Sequence, residues 1–301
     1  MTSGILNINK PRGMTSFAVV SLVRRLTGVR RVGHAGTLDP IAEGVLPVCL
    51  GHATRVVEYI IGAPKAYRAS IRLGAATDTY DSEGAVTATG DPSGVTLEQL
   101  ETALREFAGE IEQLPPMYSA LKYEGRPLYD YARAGKTVPR KSRKVSIHRL
   151  ELLRFEPPLL ELELEVGRGA YVRTLAHDLG ERLGCHGHLE ELVRLRSGPF
   201  SLEEALELDA FREAAERGEW QELLFAADRV LESWYAALLA EEHSRDVCQG
   251  RLLVLAPAWP ELSNLAPDTP CRAYSHEGEF LAILRYRGAD RWQPEKVFSP
   301  Q

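Results

Sequence analysis

Cysteine is scarce in this chain of 301 residues. The four present, Cys49, Cys185, Cys248 and Cys271, are scattered with no CxxC pair among them. That spacing speaks against a zinc site and a disulfide framework and points to reduced thiols. No apolar run approaches the ~20 residues that a membrane-spanning helix needs. The start, MTSGILNINKPRGMTS, has neither the apolar core nor the cleavage site of a secretory signal. The expected setting is the cytoplasm, without membrane contact. The chain also lacks a Ser-His-Asp arrangement, a Walker phosphate loop and the HxE…PCxxC pattern of zinc deaminases. No cofactor or metal is expected.

An overall excess of positive charge is missing too, since the formal net charge is −6. The acidity is local. Residues 201–246 hold thirteen acidic residues against four basic ones, residues 247–301 balance, and residues 1–200 keep a small positive surplus. Within them the stretch 122–144 carries eight basic residues, Lys122, Arg126, Arg133, Lys136, Arg140, Lys141, Arg143 and Lys144, against Glu124 and Asp130. Such density is the electrostatic footprint of phosphate contacts. Three tyrosines are interleaved, Tyr123, Tyr129 and Tyr131, which suits an element that folds over nucleic acid.

What the chain does have is the run Arg31-Val32-Gly33-His34-Ala35-Gly36-Thr37-Leu38-Asp39-Pro40-Ile41-Ala42-Glu43-Gly44-Val45-Leu46-Pro47. Its glycines let the backbone turn tightly beside a ligand, and Pro40 biases Asp39 away from helical dihedrals. Asp39 therefore reads as a lone loop carboxylate at the mouth of a packed core.

Around this run the periodicities are clear. Ile5, Leu6 and Ile8 make a short strand ending at Lys10-Pro11, and Ser16 is placed to cap a helix closed by Gly28. Residues 66–74 alternate as a strand, 77–84 form a polar turn, and Leu97, Leu100, Leu104 and Phe107 stripe a helix. Leu159 to Val166 alternates Leu and Glu as a strand with one wet face, and Gly167-Arg168-Gly169-Ala170-Tyr171-Val172-Arg173-Thr174-Leu175 leads into a helix ending near Leu183. Residues 202–239 are acidic and helical in pattern. Beyond about Ala236, short apolar runs at 250–255, 271–274 and 280–284 suggest a small β-barrel.

The run around Asp39 resembles the catalytic motif of the TruB family of tRNA pseudouridine synthases, and Lys10-Pro11-Arg12-Gly13-Met14-Thr15-Ser16 resembles that family's N-terminal motif. The resemblance implies an α+β pseudouridine synthase fold, with a central mixed, largely antiparallel sheet flanked by helices. It implies a catalytic domain over 1–235, a basic thumb-like insertion at about 115–145, and a small PUA-like RNA-binding β-barrel over 236–301. The residues 294–298 stand in the place of that barrel's closing motif. The implied activity is isomerisation of uridine 55 in the T-loop of tRNA, by base flipping.

Residue by residue, the resemblance makes Asp39 the nucleophile, attacking uracil C6 or ribose C1′, and makes Arg173 the arginine that pairs with it. Tyr67 matches the tyrosine that stacks on the flipped base and assists proton removal from C5. Tyr171 matches a second tyrosine beside the base, Leu192 a leucine at the pocket rim, and His34 the histidine that fills the space the flipped nucleotide leaves. Lys122, Arg126, Arg140, Lys141, Arg143 and Lys144 are the implied contacts to the RNA backbone. Val193 departs from the pattern, since a basic residue is common there. The implied partner is the T-arm of tRNA, bound by a monomer with no obligatory protein partner. Two other readings share these residues: a guide-dependent synthase of the dyskerin type, and an RNA-binding module without catalysis.

Overall fold

A computed structural model describes residues 2–255 and 265–298. Its centre is a ten-stranded sheet. The order across it is Leu206–Glu207, Gly4–Lys10, Ala42–Leu50, Gly187–Ser197, Lys65–Leu73, Leu159–Val166, Arg143–Glu156 and Gly109–Gln113, with Val32–His34 and Phe200–Ser201 paired at the side. Only the pairings of Gly4–Lys10 with Leu206–Glu207 and of Ala42–Leu50 with Gly187–Ser197 are parallel, so the sheet is mixed but largely antiparallel.

Strand alternation sorts the side chains onto two faces. Leu6, Ile8, Leu46, Val48, Leu50, Ala69, Ile71, Leu160, Leu162 and Leu164 join a core completed by helices Ser16–Thr27, Leu97–Glu106, Val172–Arg182 and Leu208–Glu216. The opposite face has two regions. At one end Ile5, Val45 and Cys49 meet Ala53, Val56, Ile60, Phe200 and Leu231, together with Ile283 and Phe298 of the C-terminal module. Further across the sheet that face is wet, as the Leu-Glu alternation predicts. Arg68 pairs with Glu163, Arg72 with Glu190 and Arg196 with Glu165, all in cross-strand ion pairs.

The C-terminal module is a curled five-stranded sheet, a PUA-like half-barrel. Its order is Tyr235–Leu238, Pro270–Tyr274, Phe280–Tyr286, Arg291–Val297 and Leu253–Val254. Residues 256–264 and 299–301 of the expected C-terminal barrel lie outside the described residues.

Two local expectations change. Thr15, not Ser16, caps the first helix, its hydroxyl accepting from Ala18 N at 3.0 Å, while Ser16 serves the loop of Asp39. The acidic stretch 202–239 holds one α-helix, Leu208–Glu216, then two 3-10 turns and the strand Tyr235–Leu238. Gly218, at φ 76°, ends the helix. Phe225 then exchanges two backbone hydrogen bonds of 2.9 Å with Ile5, which requires extended chain where the sequence pattern is helical.

Candidate active site

The loop that carries Asp39 is fastened on both sides to the segment Lys10–Ser16. Ser16 Oγ donates to Leu38 O at 3.0 Å and accepts from Leu38 N at 2.8 Å. Gly13 N donates to Pro40 O at 2.8 Å. The Lys10 ammonium, completely buried, donates to Pro11 O, Met14 O and, at 3.4 Å, Pro40 O. Burial lowers the Lys10 pKa to about 8. This lysine is therefore a clamp on the loop and not a surface group. Gly44 has no substitute: at φ 98° its Cβ would lie 2.3 Å from Arg194 O.

Above this loop opens a cavity of about 350 Å³, within the range of small-ligand sites. Asp39, Tyr67, Tyr171, Arg173 and Leu192 all line it, so the structure brings together the five residues expected around the flipped base. Tyr67 stands on strand Lys65–Leu73 with the same parity as Ala69 and Ile71, and so faces the helix side of the sheet. Leu192 is buried on the neighbouring strand, opposite Ala69. His34, expected where the flipped nucleotide leaves its space and not around the base, is not part of the lining. It lies on the short strand Val32–His34, its Nδ1 buried without a partner among the described residues, and burial and the charge of Arg194 both lower its pKa. A neutral ring of that kind suits filling space better than moving protons.

Arg173 is the second residue of helix Val172–Arg182 and is buried. Its Nε lies 2.9 Å from Asp39 Oδ2 without pointing its hydrogen along that line, so charge holds the pair more than a directed hydrogen bond. Nη1 donates to Thr79 O at 3.0 Å and to Asp81 Oδ2 at 3.3 Å, and Nη2 donates to Tyr118 O at 2.9 Å. The guanidinium is thus aimed from three directions. Asp39 keeps 35% of its side chain exposed to the cavity, yet burial pushes its carboxyl above the ordinary range. Arg173 and Lys10 oppose that shift, while Asp81 adds to it.

Several residues of the site were not singled out by sequence. Asp81 is one of three acids in the turn 77–84, and periodicity gives no means of choosing among them. Arg194, fully buried, donates to Val45 O and Gly36 O and braces the same loop. An arginine at an inward strand position two residues after Leu192 was the available signal. Ser119 lines the cavity with its Oγ buried and without a partner among the described residues, and Arg143, expected only as a contact to the RNA backbone, lines it too with its Nε likewise unpartnered among them.

The insertion is a two-rung ribbon, Lys122–Tyr123 with Arg126–Pro127, followed by helix Leu128–Arg133. Its tyrosines pack within the insertion itself: Tyr123 meets Tyr131 edge-on, Arg126 covers Tyr131 and Arg133 covers Tyr129. The basic residues separate into two groups. Lys122, Arg126, Lys141 and Lys144 are exposed, Lys144 in an ion pair with Glu110, while Arg140 reaches back to Pro115 O. Arg143 instead lines the cavity, its guanidinium 4.9 Å from the Tyr171 ring and hydrogen-bonded to Gly169 O.

A carboxylate held by one arginine at the floor of an aromatic-walled cavity, on an open mixed sheet with a PUA-like module, defines a pseudouridine synthase. Residues 24–172 match the TruB family pseudouridylate synthase N-terminal domain, and residues 173–237 match the tRNA pseudouridylate synthase B C-terminal domain. The tRNA pseudouridine synthase B of Dehalococcoides mccartyi (strain 195) is 41% identical over 98% of this chain and 96% of its own. That of Symbiobacterium thermophilum is 54% identical over 68% of this chain and 70% of its own. Among solved structures, the chain aligns with a Cbf5–Nop10–Gar1 complex at a TM-score of 0.72 and 25% identity, covering 100% of this chain and 84% of that one. The chain belongs to the TruB family of tRNA pseudouridine synthases, isomerases that convert uridine to pseudouridine in tRNA.

Proposed function

We propose that the chain isomerises uridine 55 in the T-loop of tRNA, with Asp39 as the nucleophile. The observation that supports this most is the Asp39–Arg173 pair, the one carboxylate–guanidinium contact on the cavity lining among the described residues. Flipping the uridine out of the loop costs a few kcal/mol, which stacking and phosphate contacts offset. Tyr67 and Leu192 wall the cavity for the flipped base, and Tyr171 lies beside it, braced by Arg143.

Asp39 attacks with its electron pair at uracil C6 or ribose C1′, and the C1′–N1 bond breaks. The base turns, C5 bonds to C1′, the C5 proton leaves with the help of the Tyr67 hydroxyl, and N1 takes up a proton. Asp39 is released unchanged, so nothing is consumed. His34 fills the place vacated in the loop. The enzyme works in the cytoplasm as a monomer that needs no protein partner, with residues 1–235 as catalytic domain and 236–301 as the RNA-binding module. Incubation with an unmodified tRNA transcript, followed by mapping of pseudouridine, tests the reading. Modification at position 55 alone is expected, and modification elsewhere or none overturns it.

Tyr67→Phe keeps the ring and removes the hydroxyl. Its single-turnover rate is expected to fall by roughly 10²-fold with tRNA affinity unchanged, the usual size of a general-base contribution. A wild-type rate would reduce Tyr67 to a stacking wall.

The split among the basic residues gives a second prediction. Neutralising Arg140, Lys141 and Lys144 together is expected to weaken tRNA binding. The slope of log K against log salt is expected to fall by about 0.7 to 0.9 for each phosphate that these side chains no longer neutralise. The rate at saturating tRNA is expected to hold, because Arg143 is left in place. An unchanged salt slope in filter binding would show that the phosphates are held elsewhere.

A further inference from the structure

The two ends of the basic insertion meet where the helix of Arg173 begins. Gln113, the last residue of strand Gly109–Gln113, stands opposite Arg143, the first residue of strand Arg143–Glu156, so these two residues form the root of the thumb. Gln113 is only 1% exposed, and its amide does not pair within the insertion. It forms a two-way strap with Tyr171: Tyr171 N donates to Gln113 Oε1 at 2.9 Å, and Gln113 Nε2 donates to Tyr171 O at 3.2 Å. Tyr171 is the residue before helix Val172–Arg182 and supplies no side-chain cap. First-turn N–H groups of a helix ordinarily need a cap to fix where the helix starts. Here the strap fixes the backbone two residues before Arg173. The other end of that guanidinium is held by Tyr118 O, inside the insertion.

We infer that Gln113 is a positioning residue for the reaction, tying the root of the thumb to the first turn of the helix and so aiming Arg173 at Asp39. The inference rests on the roles proposed for Asp39 and Arg173. It gives a buried amide off the cavity lining a direct consequence for rate. The Arg173 Nε contact to Asp39 is close in distance but loose in direction, and such contacts tighten when substrate and thumb settle. A shift of about 1 Å at the strap is then felt at the nucleophile, where misplacement of that size costs up to ~10²-fold.

The test compares Gln113→Met, which keeps length without polar atoms, with Gln113→Asn, which keeps an amide one methylene too short to bridge. Single-turnover rates at saturating tRNA are measured across pH, beside tRNA affinity and thermal melting. Both variants are expected to bind tRNA within about threefold of wild type, and the rate is expected to fall about tenfold to a hundredfold in both, since neither can make the two-way strap. The acid limb of the rate profile is also expected to move to higher pH. Asp39 faces Arg173 from the helix, Lys10 from the N-terminal segment and Asp81 from the turn, and a displaced Arg173 opposes its protonation less. A structural amide alone would lower the melting temperature and leave the limb in place. A folded variant with a wild-type rate, or with a loss equal at every pH, overturns the inference. Should Gln113→Met not fold, Gln113→Asn decides by the same two readouts. Activity in Asp39→Asn would instead overturn the reading of the site itself, whatever the Gln113 variants do.

Discussion

Replacing Asp39 by Asn is expected to abolish pseudouridine formation while leaving tRNA affinity within a few-fold. The amide has nearly the shape of the carboxylate and lacks its negative charge, so on the role proposed for Asp39 the loss falls on the chemical step and not on binding. Isomerisation at even about a hundredth of the wild-type rate in a single-turnover assay would exclude Asp39 as the nucleophile. Stability should move the other way. A carboxyl whose pKa is raised in the folded state costs stability at every pH above that pKa, because the unfolded chain ionises more readily. Burial raises Asp39, and Asp81 raises it further. The Asn variant is therefore expected to melt no lower than wild type near neutral pH, which calorimetry reads directly.

Replacing Arg173 by Gln has the second largest expected effect, and its two consequences are separable. Asp39 and Asp81 would face each other without the cation that now touches both, at 2.9 Å and 3.3 Å. Removing one partner of a buried charge pair typically costs about 3–5 kcal/mol, so a clear loss of thermal stability is expected. The Asp39 carboxyl, already above its ordinary range, rises again once its opposing charge is gone. The rate at neutral pH should fall by roughly 10³-fold, and the acid limb should move upward. Arg173→Lys keeps charge but loses the fork that reaches Thr79 O, Asp81 and Tyr118 O together, and it should recover stability better than rate. A variant lacking Arg173 with an unshifted acid limb would show that this arginine does not govern Asp39.

The strands and helices that carry the site could be read because each has a period that water enforces. The Leu-Glu alternation of 159–166 follows from one face meeting helices and the other meeting cross-strand ion pairs, and Gly28 ends the first helix at a left-handed φ of 69°. The run around Asp39 stood out through its resemblance to a family motif, since glycines beside an aspartate also make ordinary turns. What could not be read is whatever depends on distant segments converging. Asp81 meets Arg173 across 92 residues of chain and Gln113 meets Tyr171 across 58. No local pattern marks either. Arg143 counts in the sequence as one more cation in a basic run, and only the root of the insertion places it beside Tyr171. The acidic stretch after residue 202 misleads for the same reason: docking of Phe225 against Ile5 overrides a helical period.

The way the C-terminal module meets the sheet bears on how such an enzyme can be rebuilt. Ile283 and Phe298 fill the same apolar layer as Ile5, Val45 and Phe200, and Lys296 reaches across to Glu58 and Arg55 O. The module is thus a wall of the building as well as an instrument mounted on it. An engineer who exchanges it for another RNA-reading domain inherits a fitting problem before any question of specificity arises. The replacement must bring its own isoleucine- and phenylalanine-sized knobs to the same spot, or the apolar layer that those two residues complete is opened to water.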